Sequence, residues 1–66
     1  MNWTQLRTNW DKVQEELHTK WGKLTDDDLK KIGGNRDKLI RRLQKLYSMN
    51  KMQAEKEADS FIKTLN

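Results

Sequence analysis

The stretch from Trp21 to Asp37, W-G-K-L-T-D-D-D-L-K-K-I-G-G-N-R-D, constrains this chain most, because it packs a helix stop, a short helix and a new helix start into seventeen residues. Thr25 is an N-cap residue. Asp28 stands at the third helical position, where a carboxylate can return a bond to the cap, and Leu24 and Leu29 occupy the two positions of a hydrophobic staple. Asp26, Asp27 and Asp28 fill the first turn, where unsatisfied N–H groups carry partial positive charge. Gly33 supplies the left-handed residue that lets the chain leave after Ile32. A chain with these instructions at its centre cannot run through as one rod; a short helix over 26–32 joins longer helices on either side.

Upstream, Trp3, Leu6, Trp10, Val13, Leu17 and Trp21 recur at steps of three and four, the stripe of a helix ending near Gly22. Asn2 or Thr4 can cap it. Thr8 and Asn9 also read as an N-cap pair, so the first two turns either fray or form a separate piece. Downstream, Asn35 caps a helix over 36–47 whose apolar positions are Leu39, Ile40, Leu43, Leu46 and Tyr47. Asn50 and Gln53 repeat the capping-box pattern and open a helix from Lys51 to about Thr64, with Ala54, Ala58, Phe61, Ile62 and Leu65 inward and Met49 against Ala54 as a weaker staple. The reading is an all-α domain over 1–66, a bundle of four helices, or five if the first divides. With 33% hydrophobic and 36% charged residues, the periodicity decides between a compact helical domain and disorder in favour of the former.

No cysteine is present, which removes thiol chemistry, disulfides and zinc–thiolate sites. No apolar run approaches the roughly 18 residues of a membrane span and no secretory signal opens the chain, so a cytoplasmic protein is expected. His18 flanks Leu17 with no second histidine, which argues against a metal site or acid–base role. The three aspartates point about 100° apart on a helix and lack EF-hand spacing, so they read as complements to the helix dipole. The tryptophans fit a membrane interface by type, but their spacing makes them core anchors. No catalytic, cofactor-binding or metal-binding residue is expected, and the chain is expected to be a monomer and not an enzyme.

Charge is unevenly spread. Residues 1–33 carry six basic and six acidic side chains and residues 34–66 carry eight and four, so the entire excess of +4 lies in the second half. Arg36, Lys38, Arg41, Arg42 and Lys45 load the 36–47 helix, relieved by Asp37 four residues before Arg41. They are the candidate phosphate-contacting face, against the plainer reading of a solvated surface with snorkelling stems.

With Trp10, the run Trp21 to Leu29, then Ile32, Gly34, Arg36-Asp37, Leu39, Gln44, Tyr47 and the run Gln53-Ala54-Glu55-Lys56-Glu57, the chain resembles the CsbD-like family of small bacterial stress proteins over nearly its whole length. W-G-K-L-T-D-D-D-L is the most specific element. The resemblance implies four or five helices as two hairpins packed crosswise, abundance under stresses such as salt or starvation, and no reaction. Glu15 and Arg41 stand where relatives often have glycine and Ser48 where Tyr-Gly is common, which implies stiffer helices here. The leading functional expectation is a non-enzymatic, binding or structural stress-response protein. The alternative is weak, sequence-independent nucleic-acid binding by the basic 36–47 helix and the Gly33-Gly34 turn, which is similar to a helix-hairpin-helix without the apolar residue between its glycines.

Overall fold

A computed structural model describes residues 2–65. Five helices follow one another: α1 (Trp3–Thr8), α2 (Trp10–Lys20), α3 (Asp26–Ile32), α4 (Arg36–Tyr47) and α5 (Lys51–Lys63). The first long helix is thus divided. Asn2 caps α1 through its side chain, and Gln5 returns a bond to the cap, Oδ1 accepting from Gln5 N–H at 2.8 Å and Gln5 Oε1 accepting from Asn2 N–H at 3.1 Å. The break falls at Asn9, but Asn9 does not cap α2 with its side chain as the sequence suggests; its Nδ2 donates backward to Gln5 O at 2.9 Å and closes α1 instead. Its carbonyl still accepts from Val13 N–H.

The central stretch folds as its residues instruct. Thr25 and Asp28 form a reciprocal capping box, Leu24 and Leu29 are both buried, and Gly33 adopts φ +53 with its N–H on Leu29 O at 3.0 Å. Asn35 caps α4 by accepting from Lys38 N–H at 3.1 Å. Asn50 caps α5 by accepting from Gln53 N–H at 2.7 Å, without the return bond of a full box. α4 ends at Ser48, a non-glycine residue at φ +53. An L side chain is strained there, and this is the position where the family resemblance implied glycine nearby.

The core is one cluster: Leu6, Val13, Leu17, Trp21, Leu24, Leu29, Ile32, Leu39, Ile40, Leu43, Ala54, Ala58, Phe61 and Ile62 are all buried. Trp21 sits against Phe61 with centroids 5.3 Å apart and rings tilted at 51°, which joins the end of α2 to α5. Trp3 and Trp10 pack at the edge of this cluster, and Trp10 Nε1 donates to Leu29 O at 3.2 Å. The tryptophans are core anchors, and each uses a tip or a face to tie one helix to another. Loops are held in the same way: Lys23 N–H donates to the Tyr47 hydroxyl at 3.1 Å and Lys23 Nζ lies 5.0 Å from that ring, which pins the α2–α3 connection to the end of α4.

The second glycine of the α3–α4 turn carries the tightest constraint. Gly34 is buried at φ +86, and a Cβ there would lie 2.7 Å from Arg7 Cα and 3.1 Å from Arg7 Cβ. The turn is therefore pressed onto the backbone of α1. No helix among the described residues is long and apolar enough to cross a membrane.

Candidate functional site

The five cations read from the sequence as one face divide in the structure. Arg36 begins α4 and turns toward α5 and α1: its Nε donates to Asp59 Oδ1 and its Nη2 to Asp59 Oδ2, both at 3.1 Å, while its guanidinium carbon lies 6.0 Å from the Trp3 ring. This is the two-pronged geometry that suits guanidinium and carboxylate. The Arg36 hydrogen bonds hold the Asp59 carboxyl below its ordinary value, and Asp59 in turn raises Arg36. Arg36 is committed to holding α1, α4 and α5 together.

Lys38, Arg41, Arg42 and Lys45 instead line an open groove of about 480 Å³ together with Lys31 and Ile32. Helical spacing explains the grouping: residues at 38, 41, 42 and 45 differ by three, four and seven and lie on one side of α4. Lys31 comes from the last turn of α3, and the Gly33-Gly34 turn brings the two helices side by side. Ile32, 1% exposed, is the apolar floor.

Within the groove Arg42 differs from its neighbours. Its Nη1 lies 3.4 Å from Asp28 Oδ1, with the two side chains 26% and 14% exposed. The other oxygen of Asp28 accepts from Thr25 N–H at 3.2 Å and from the Thr25 hydroxyl at 3.0 Å. The bond from the Thr25 backbone does most to lower the Asp28 pKa, with smaller contributions from the Thr25 hydroxyl, Arg42 and Lys31. One carboxylate thus closes the α3 cap and tethers an arginine of α4. Lys31, Lys38, Arg41 and Lys45 take part in no ion pair among the described residues, and the Asp37–Arg41 helix pair expected from spacing is not made.

His18 is exposed, and its Nδ1–H donates to Leu24 O at 2.8 Å, a bond the sequence did not suggest. The ring latches the end of α2 to the loop before α3. The aspartate triplet occupies the first turn of α3. Sequence reasoning missed Lys31 as a groove residue because it lies on another helix, and no local signal joins it to α4.

Gly34 bears on the hairpin reading. Its freedom is used by the close approach of Arg7, so packing accounts for that glycine without any phosphate.

Among known proteins, the chain is 44% identical over 61 residues to the UPF0337 protein pc0632 of Protochlamydia amoebophila, spanning 92% of both chains. It is 44% identical over 63 residues to the UPF0337 protein YjbJ of Escherichia coli O6:H1, covering 96% of this chain and 91% of that one. Against the UPF0337 protein YjbJ of Escherichia coli K12 the figures are 44% over 57 residues, with 86% and 83% covered. No protein-family model and no solved structure matches.

Proposed function

The chain belongs to the UPF0337 family of small bacterial proteins, and from that premise we propose that it is a non-enzymatic, cytoplasmic, monomeric stress-response protein of the CsbD-like kind that acts by binding. The observation that carries this reading is how its polar side chains are used. His18 serves Leu24 O, Asp28 serves Thr25 and Arg42, Asp59 serves Arg36, and the Tyr47 hydroxyl serves Lys23 N–H. Each of these groups, of kinds that general acid–base catalysis uses, is occupied in holding two segments together, which supports a non-enzymatic reading. Four cations without an ion pair among the described residues, Lys31, Lys38, Arg41 and Lys45, are gathered in the α3–α4 groove, which suits recognition of an anionic partner.

The test is complementation. A strain lacking the gene should survive high salt or starvation less well, the protein should accumulate under the same conditions, and His18→Gln or Asp26→Asn copies should restore survival as fully as the wild type. Restoration that depends on either side chain would contradict a non-enzymatic role. A second reading, weak nucleic-acid binding that ignores sequence, is favoured specifically by the cations grouped in the groove.

A further inference from the structure

Deepening the binding role proposed above, and resting on it, we infer that the α3–α4 groove takes the phosphate backbone of nucleic acid through Lys31, Lys38, Arg41 and Lys45. Lys38, Arg41 and Lys45 form one stripe along about 10 Å of α4 at the rise of an α-helix. A nucleic-acid strand presents one phosphate every ~3.4 Å of rise, so the stripe matches about three successive phosphates, and Lys31 adds a cation from across the groove. None of the four is neutralised by a carboxylate of the described residues, and the nearby Asp28 is held by Thr25 and Arg42.

Two features choose this partner over other anions. No aromatic side chain lines the groove, so bases have nothing to stack on and contact is confined to the backbone, independent of sequence. Ile32 is 1% exposed, so the groove offers no apolar side chain for insertion among lipid chains, the usual companion of cations at a membrane surface. The Gly33-Gly34 turn takes no part, since Gly34 is covered by Arg7.

The experiment titrates the full chain into a fluorescent 20-base-pair duplex between 50 and 200 mM salt, with vesicles containing phosphatidylglycerol as a parallel probe. The expected result is micromolar binding at 50 mM salt with a log–log slope of about −3, a loss of roughly 60-fold across the range. Lys38→Gln, Arg41→Gln and Lys45→Gln should each flatten the slope by about 0.9, and Arg36→Gln should leave it in place. Circular dichroism on each variant separates lost binding from lost fold. Absence of a salt-dependent complex, a slope that the three folded variants do not move, or binding to vesicles but not to the duplex would overturn the inference. Each of those outcomes leaves the complementation result standing, so failure here is distinguishable from failure of the stress-response reading.

Discussion

The two ends of the charge on α4 behave differently. At its start, Arg36 is locked to Asp59 by two 3.1 Å bonds beside Trp3, and the preceding Gly34 is pressed on Arg7. Along the groove, among the described residues, Lys38, Arg41 and Lys45 meet no carboxylate, and only Arg42 has a tether, at 3.4 Å. The difference lies in what each cation can reach. Position 36 is adjacent to α5 and α1, which bring a carboxylate and an aromatic ring; positions 38, 41 and 45 face a concavity whose other wall contributes another lysine. The first region uses charge to join helices, and the second leaves its charge facing solvent, as the proposed binding role requires.

The comparison breaks most readily at the turn between the regions. Gly34→Ala places a methyl group 2.7 Å from Arg7 Cα at a φ of +86 and should cost about 2 to 4 kcal/mol, through strain and displacement of α1. Gly33→Ala meets nothing nearer than Lys30 O at 3.5 Å and should cost only about 1 kcal/mol. Urea melts of the two variants check this ordering; equal losses would mean that the approach of α1 to the turn is not the constraint.

Next in size is the Arg36–Asp59 pair. The side chains are 35% and 46% exposed, so solvent screening limits the loss in Arg36→Gln to about 1 kcal/mol, roughly 4 to 8 °C in a domain of this size. Because the folded Asp59 pKa lies below its ordinary 3.8, its contribution is present above that value and lost as the pH falls through the lowered folded pKa. The stability gap between wild type and Asp59→Asn should therefore be widest near neutrality and begin to narrow as the pH falls below 3.8, closing through the lowered folded pKa. A gap that does not narrow at all as the pH falls would assign the effect to packing and not to charge.

The smallest effect sharpens the groove itself. Arg42→Gln removes one tether to an already bonded carboxylate and should cost about 0.5 kcal/mol, while Lys38→Gln and Lys45→Gln should change stability by less than that. Thermal melts in a common buffer test the ranking. A loss at Lys38 or Lys45 matching that at Arg36 would erase the division between the two regions.

Most of the fold was legible because its determinants are local. Thr25 with Asp28, Gly33, Asn35 and Asn50 act within four residues of themselves, and the 26–32 and 36–47 helices fall where those residues put them. The division of the first helix was readable as an option, but not its mechanism, since Asn9 offers its side chain to both flanking helices and the sequence does not choose between them. The site was legible in part. Helical spacing already sets Arg36 on the opposite side of α4 from positions 38, 41, 42 and 45; what it could not give is Asp59, which lies 23 residues away from Arg36, or Lys31 on another helix. Gly34 also read as turn chemistry, because its neighbour Arg7 is distant in sequence.

The most direct test of this division is a crossed measurement on Arg36→Gln and Arg41→Gln, each assayed for urea stability and for the salt slope of duplex binding. Arg36→Gln should lower stability by about 1 kcal/mol with the slope unmoved, and Arg41→Gln should keep stability within about 0.5 kcal/mol while flattening the slope by about 0.9. Two variants that lose stability equally, or that move the slope equally, would contradict the claim that α4 divides its charge between holding the fold and meeting a partner.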